Sequence, residues 1–180
     1  MARQSKELRK LIRDTVKHSP KTPKELRALG YSVQRAGHGA YRQAYSVADG
    51  VTLVDTGAIV KFPHSAVGET PCTSNPCATE QITHAQMEVE ALQKVMRTKR
   101  LRPLRRYMPE IYAFNARAGV TLVKKYKQAR YNASLRWFVC FFDALVNDLL
   151  DLKWELDSVP KNIGWDGSQY TLLDLGLLEE

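Results

Sequence analysis

Two carboxylates and one amide in the C-terminal part of the chain have the chemistry and spacing of a metal-binding group. Asp157 precedes Asn162 by five positions, and Asp174 follows Asn162 by twelve. Their side-chain oxygens are hard ligands of the kind that Mg²⁺ prefers. The segment from Asn162 to Asp174 has a hairpin pattern, which would bring the chain back on itself. The same residues could instead be a helix N-cap, a loop amide and a turn carboxylate, each of which is common alone.

A lysine and a glutamate form a second candidate group. Lys61 ends the apolar segment that begins at Ala58, and such a segment is typical of a buried strand. Glu88 shares the apolar face of a predicted helix with Ala85 and Leu92. Because burying a charge is costly unless an opposite charge meets it, Lys61 and Glu88 are predicted to pair. The alternative is a strand-end lysine whose ammonium reaches water.

Two glycines one residue apart, Gly37 and Gly39, lie between segments that read as strands. Glycine lets a backbone come close to a phosphate group, so this segment is a candidate phosphate-binding loop. A hairpin turn that needs positive φ angles would use the same residues, and the glycines alone do not separate the two interpretations.

The elements that must position these residues follow an α+β order. Helical spacing or capping residues predict helices, and β-branched or aromatic runs bounded by glycines predict strands. The helices are expected at residues 3–17, 22–30, 79–99 and 133–152. The strands are expected at 31–36, 41–47, 51–62, 111–117 and 120–126, with a hairpin at 162–176. The helices before residue 31 are expected to cover the sheet, although a helix-turn-helix would also fit their spacing.

Composition limits the classes of protein to which the chain can belong. The 180 residues are 44% hydrophobic and 26% charged, which is typical of one globular domain with a short appendage. The sequence has no apolar run of transmembrane length and no signal-peptide core at its start. We therefore expect a cytoplasmic protein with no membrane contact. Cys72 and Cys77 are expected in a reduced loop rather than a zinc site, and Cys140 in the core.

Positive charge is concentrated in two blocks, residues 1–36 and 94–130. The net charge is +8, and the run from Lys94 to Arg106 holds seven basic residues and no acidic one. A run of this kind is most often a solvated face, but it could bind an acidic protein or a phosphate-rich partner. Nucleic acid is a further candidate partner that we rank lower.

Taken in order, these pieces resemble the protein-kinase-like fold over residues 31–176. Gly37 and Gly39 resemble its glycine-rich loop, with Arg42 at the usual place of the third glycine. The segment from Ala58 to Lys61 resembles the VAIK strand. Glu88 resembles the partner glutamate, and the Leu122-Val-Lys-Lys-Tyr segment resembles the hinge. Asp157 and Asn162 resemble the catalytic loop, and Asp174-Leu-Gly resembles the metal-binding motif. Miniature kinase-like proteins of bacteria and phages are the nearest match to this length.

The resemblance implies a division into basic helices (1–30), an N-lobe with an antiparallel sheet and a helix (31–126), and a minimal C-lobe (127–180). It also implies ATP and Mg²⁺ as cofactors. Lys61 would bind the phosphates and be held by Glu88, Asp157 would be the catalytic base, and Asn162 and Asp174 would hold the metal. The glycines, Val123 and Lys125 would complete the nucleotide site.

Three functions are compatible with this sequence. The first is an ATP- and Mg²⁺-dependent phosphotransferase, directed to serine or threonine. The second is a pseudokinase that regulates a partner by binding, because Glu155 and Leu156 stand where kinases have His-Arg. The third is a basic nucleic-acid-binding adaptor. A cytoplasmic location is expected for each, which means the host cytoplasm if a phage encodes the chain.

Overall fold

The computed structural model describes residues 4–38, 42–64, 78–150, 153–155, 162–173 and 177–179. These residues form a mixed α+β structure with an antiparallel sheet and several helices, as the sequence predicts. The chain divides into two compact units. The first contains residues 1–86 and 110–125, and the second contains residues 87–109 and 126–180.

Two capped helices open the first unit. Helix α1 spans Lys6–His18, and the Ser5 hydroxyl accepts a hydrogen bond from the Leu8 amide at its start. Helix α2 spans Pro23–Ala28, where Thr22 accepts from the Glu25 amide and the Glu25 carboxylate accepts from the amide of Lys21. These bonds satisfy amides that a helix N-terminus otherwise leaves without partners. The chain leaves α2 through Gly30 at φ +87°, a conformation that favours glycine.

A five-stranded antiparallel sheet forms the body of the first unit. Its strands are β1 (Tyr31–His38), β2 (Arg42–Asp49), β3 (Asp55–Pro63), β4 (Ile111–Asn115) and β5 (Val120–Lys124), in the order β1-β2-β3-β5-β4. The predicted start of the third strand at residue 51 is wrong. The Asp49 carboxylate accepts from the amides of Val51 and Thr52, and this turn delays the strand until Asp55.

Helix α3 spans Ala78–Arg97 and connects β3 to β4 along the chain. Within the first unit, the Gln86 side chain donates to the Ala116 carbonyl in the β4–β5 turn at 3.1 Å. Glu88 is only 2% exposed, as expected for a residue on the apolar face. Met96 is 51% exposed, whereas its neighbour Val95 is fully buried. The apolar stripe of α3 therefore passes through Val95 and not through its neighbour.

The two faces of the five-stranded sheet have different surroundings. On one, which we call the covered face, Val47, Ala58, Val60 and Phe62 form one core with residues of the N-terminal helices, namely Leu8, Leu11 and Leu26. The helices before residue 31 therefore cover the sheet, as expected. The other, which we call the open face, carries Gly37, Ala44, Ser46, Ile59 and Lys61, all of them half-buried.

The second unit is built around an aromatic helix. Helix α4 (Ala133–Ala144) is capped by Asn132 and continues as a π-helical turn, Leu145–Leu149. Its buried side chains pack with the 3₁₀ helix Arg102–Tyr107 and with a three-stranded sheet in the order β6-β8-β9. The strands are β6 (Lys127–Gln128), β8 (Ile163–Trp165) and β9 (Tyr170–Leu172), and a separate pair joins β7 (Lys153–Glu155) to β10 (Leu177–Glu179).

The expectation that Cys140 lies in the core is wrong, because this side chain is exposed. The buried residues of α4 are Leu135, Phe138 and Phe142, spaced three and four apart. Cys140 is two residues from both Phe138 and Phe142, which turns it about 200° away from them on a helix of 3.6 residues per turn. None of the helices in the described ranges combines the length and the apolar composition needed to span a membrane.

Candidate functional site

One cross-strand row of the open face carries the predicted lysine. The register pairs Gly37 with Ala44, Ala44 with Lys61, and Lys61 with Thr121. Residues directly opposite each other in a sheet direct their side chains to the same face. Lys61 therefore projects from the central strand, with a methyl group and then a bare glycine backbone on its β2 and β1 side. This row is the centre of the candidate site.

A second cation lies beside Lys61. Arg42 is two residues before Ala44 on β2, so alternation along the strand places it on the open face as well. Its guanidinium donates to the Thr121 hydroxyl at 3.1 Å, and its side chain is 7% exposed. Because Thr121 is the cross-strand partner of Lys61, the guanidinium and the ammonium belong to neighbouring positions of one surface.

The next row of the open face is apolar. Ile59 pairs with Val123, two residues along from Lys61 and Thr121 on their strands. Ile59 is half-buried and Val123 is 7% exposed. Three of the predicted nucleotide-binding residues, Gly37, Lys61 and Val123, thus share one face of one sheet. A cationic row next to an apolar row can accommodate a ligand that joins an anionic group to a flat apolar one.

Backbone hydrogen bonds and an ion pair hold the chain at the end of β5. The Lys125 amide donates to the Gly57 carbonyl at 2.8 Å, and the Lys124 amide donates to the Glu110 carbonyl at 2.9 Å. The Lys125 ammonium pairs with Asp55. Partial burial raises the pKa of Asp55, but hydrogen bonds from Lys125 and the Gly57 amide outweigh it and leave that pKa below its usual value. The predicted hinge therefore begins from a fixed strand end.

In the second unit, the predicted hairpin near Asn162 is confirmed. Strands β8 and β9 pair in antiparallel fashion, and the Asp166 carboxylate accepts from the amides of Ser168 and Gln169 in the turn. The Leu173 amide donates to the Asn162 carbonyl at 2.7 Å, which closes the open end of the hairpin. Asp174 is the next residue in the sequence and lies outside the described residues.

Several predicted site residues fall where the structure makes no statement. Gly39, Asp157, Asp174, Cys72 and Cys77 lie outside the described residues. The roles predicted for them stay predictions. Within the described ranges, no group of three His, Cys, Asp or Glu side chains comes together as a metal site would require. The oxygen donors of Asn162, Asp157 and Asp174 suit Mg²⁺ chemically, although Asn162 alone of the three is described.

The predicted partnership of Lys61 with Glu88 also stays a prediction. Lys61 is half-buried and belongs to the first unit, whereas Glu88 belongs to the second. A carboxylate that is 2% exposed needs strong hydrogen-bonding or ionic partners to remain charged. The burial of Glu88 thus favours a cation or a hydrogen-bond donor as a partner of its carboxylate.

Arg42 is the residue of this surface that sequence reasoning undervalued. The kinase-like resemblance places it where a glycine usually stands and gives it no binding role. The alternation of Arg42, Ala44 and Ser46 along β2 places it on the same face as Lys61, but only when the β2–β3 register is known. Neither a protein-family model nor a curated protein sequence matches the chain.

Proposed function

We propose that the protein is an ATP- and Mg²⁺-dependent phosphotransferase of the protein-kinase-like type. The observation that carries this proposal is the row of Gly37, Ala44, Lys61 and Thr121 on the open face. It combines a backbone without side-chain bulk and a half-buried ammonium on one surface. Phosphate recognition commonly uses this combination, since oxygen atoms can approach both the backbone and the cation.

The order of elements supports the same proposal. In protein kinases the phosphate-binding lysine lies on the third strand, and its partner glutamate lies on a helix. Here Lys61 lies on β3, and α3, which follows β3 and precedes β4, carries the buried Glu88. Val123 on β5 adds an apolar contact of the kind an adenine ring requires.

Each residue would have a distinct task in the reaction. Lys61 and Arg42 would bind phosphate oxygens, and Glu88 would hold the Lys61 ammonium in position. Asp157 would orient the acceptor hydroxyl and accept its proton while the γ-phosphoryl group is transferred in line. Asn162 and Asp174 would hold Mg²⁺, which when bound neutralises charge on the phosphate groups.

A thermal-shift assay with ATP, with and without Mg²⁺, tests the proposal. At a ligand concentration near 100 times Kd, binding stabilises a protein by about 2.7 kcal/mol, which corresponds to roughly 5–10 °C for a chain of this size. Lys61→Ala should remove most of the shift. Lys24→Ala is the matched control, because Lys24 is an exposed lysine on α2. Absence of any shift with millimolar ATP and Mg²⁺ would contradict the proposal.

A pseudokinase is the second candidate, and the sequence observation that favours it is Glu155-Leu156 before Asp157. Both candidates predict nucleotide binding, but only the phosphotransferase predicts transfer. Labelled ATP should yield labelled protein or acceptor, and Asp157→Asn should abolish the label while leaving the thermal shift largely intact. A thermal shift without transfer to any hydroxyl acceptor would favour the pseudokinase.

A further inference from the structure

The second unit exposes aromatic rings that its core does not need. Trp137 is 67% exposed and Tyr131 is 75% exposed, although both types of side chain usually bury most of their area. Both lie at the start of α4, on either side of its Asn132 cap. Exposed apolar patches that polar residues surround are typical of interaction sites.

Trp137 is held as a platform. Its ring stacks on Phe141 one turn later, with centroids 5.2 Å apart and ring planes within 9°. Phe141 contacts Tyr107 edge-on at 6.0 Å, and Tyr107 contacts the buried rings of Phe138 and Phe142. The indole is therefore fixed by the core on one side while most of its area faces solvent. Little conformational entropy would be lost when a planar group stacks on it.

Exposed cations are close to the two exposed rings along the chain or belong to neighbouring elements of the second unit. Arg130 and Arg136 are exposed and lie within one turn of Tyr131 or Trp137 along the chain. Lys127 is exposed on β6, opposite Trp165 of β8. Arg106 is exposed as well, and its guanidinium lies over the Tyr107 ring, 4.5 Å from the centroid. We call the residues Arg106, Lys127, Arg130, Tyr131, Arg136 and Trp137 the aromatic–basic surface.

Acidic residues are almost absent from the surrounding sequence. Between residues 91 and 142 the chain contains one acidic residue, Glu110, and that residue belongs to the first unit. The basic run that leads into the 3₁₀ helix adds exposed cations at Arg97, Lys99 and the first helical residue, Arg102. Arg105 is different, because its guanidinium donates to the carbonyls of Val95 and Thr98 and so serves the fold.

We propose that the aromatic–basic surface binds single-stranded nucleic acid. Cations that follow a phosphate backbone, combined with exposed rings on which bases stack, are the two components of sequence-tolerant single-strand binding. An acidic protein would be satisfied by the cations alone and would leave the fixed Trp137 platform unused. Duplex DNA would also leave the rings unused, because its bases stack on one another.

Fluorescence polarisation with a labelled 20-nucleotide oligothymidylate tests this proposal in the full chain, without ATP. Trp137→Ala should weaken binding by about tenfold, which is within the range for loss of one stacked base. Trp137→Phe should restore most of the affinity, because it keeps a ring on the Phe141 platform. Trp137 is mostly exposed, so these variants should stay folded and melt within a few degrees of wild type.

Charge variants separate specific contact from general attraction. Arg136→Glu should weaken binding severalfold, whereas Arg9→Glu makes the same charge change on exposed α1 and should leave affinity nearly unchanged. Arg136→Ala should lower the salt slope of log Kd against log[NaCl] by about 0.7, the value for one phosphate contact on a single strand. Lys61→Ala should bind the oligonucleotide like wild type.

Any one of the following results would overturn the proposal. They are no binding at micromolar protein in 100 mM salt, equal losses in Arg136→Glu and Arg9→Glu, full affinity in Trp137→Ala, and loss of binding in Lys61→Ala. Equal competition by polyglutamate and oligothymidylate would also overturn it and indicate an acidic protein partner. Competition by single strands at least tenfold stronger than by duplex of the same length would support it.

Discussion

The two faces of the five-stranded sheet share one backbone but bury different chemistry. The covered face presents Val47, Ala58, Val60 and Phe62 to the N-terminal helices, and each is at most 1% exposed. The open face presents a glycine, an alanine, a serine, an isoleucine and a lysine, all half-buried, beside the buried Arg42, Thr121 and Val123. Adjacent residues of β3, such as Val60 and Lys61, thus belong to surfaces with different tasks, since side chains alternate along a strand.

Because of this difference, the two faces should contribute unequally to the stability of the fold and to ligand binding. Complete burial of large apolar side chains stabilises a fold strongly, so the covered face should dominate the stability of the first unit. The half-buried positions of the open face contribute less to packing, so these positions can be altered with less damage to the fold. Substitutions at neighbouring positions of β3 should therefore have opposite profiles, affecting folding in one case and ligand binding in the other.

The largest expected effect is on the covered face. Phe62→Ala should lower the free energy of unfolding by about 3–5 kcal/mol, because Phe62 is fully buried and contacts the Tyr45 ring at 5.8 Å. Ile59→Ala is the matched substitution on the open face and should cost about 1 kcal/mol, since Ile59 is half-buried. Urea denaturation measures both. Equal losses would contradict the distinction between the faces.

A second effect sharpens the comparison within the open face. Thr121 is fully buried, and its hydroxyl accepts the hydrogen bond from Arg42. Thr121→Val should cost about 1.5–3 kcal/mol, because a buried guanidinium loses an acceptor. Thr121→Ser keeps the hydroxyl and should cost about 1 kcal/mol or less. If the two variants unfold at the same urea concentration, the hydrogen bond between Arg42 and Thr121 does not contribute to the free energy of unfolding.

Adding bulk at matched alanines tests which face has space. Ala58→Leu should destabilise by about 1–3 kcal/mol, because Ala58 is 0% exposed and its surroundings are fully packed. Ala44→Leu should cost less than about 1 kcal/mol, since Ala44 is half-buried beside Gly37. Ala44→Leu should instead reduce the ATP-dependent thermal shift under the proposed function. Urea denaturation and thermal-shift assays on both variants measure these effects. A larger loss of stability in Ala44→Leu than in Ala58→Leu would show that the covered face, and not the open face, has space for added bulk.

Local sequence signals predicted the capped helices and most strands correctly. Thr22, Pro23 and Glu25 specify the start of α2, and the Asp166–Gly167 turn specifies the β8–β9 hairpin, through interactions within a few residues. The missed turn at Asp49 is also local. Its carboxylate accepts from two amides, and the apolar residues Val51 and Leu53 that follow concealed the turn.

The candidate site was predictable only in part, because its geometry depends on long-range register. The types and order of Gly37, Lys61 and Val123 suggested a nucleotide site, but their common face follows from pairing across four strands. The role of Arg42 depends on Thr121, which is 79 residues away in sequence. In the second unit, the exposure of Trp137 and Cys140 was hidden because α4 is apolar on nearly every side, so its sequence does not reveal which face is buried.

The smallest expected effect concerns pH and the contact between α1 and the sheet. The Tyr31 hydroxyl donates to the Asp14 carboxylate at 2.7 Å, and Lys10 lies 5.0 Å from the centre of the Tyr31 ring. Burial, this hydrogen bond, and the charges of Asp14 and Asp49 raise the pKa of Tyr31 above its ordinary value.

Because the folded pKa is higher than the unfolded pKa of about 10, the stabilisation is complete below pH 10 and declines as pH rises beyond it. Tyr31→Phe should therefore cost about 1 kcal/mol at pH 7, and the difference from wild type should shrink only as the pH rises above about 10. Tyr131→Phe, at an exposed tyrosine, is the control and should match wild type at each pH. Urea denaturation across this range measures the effect, and a difference between Tyr31→Phe and wild type that stays constant with pH would show that the hydroxyl does not titrate with folding.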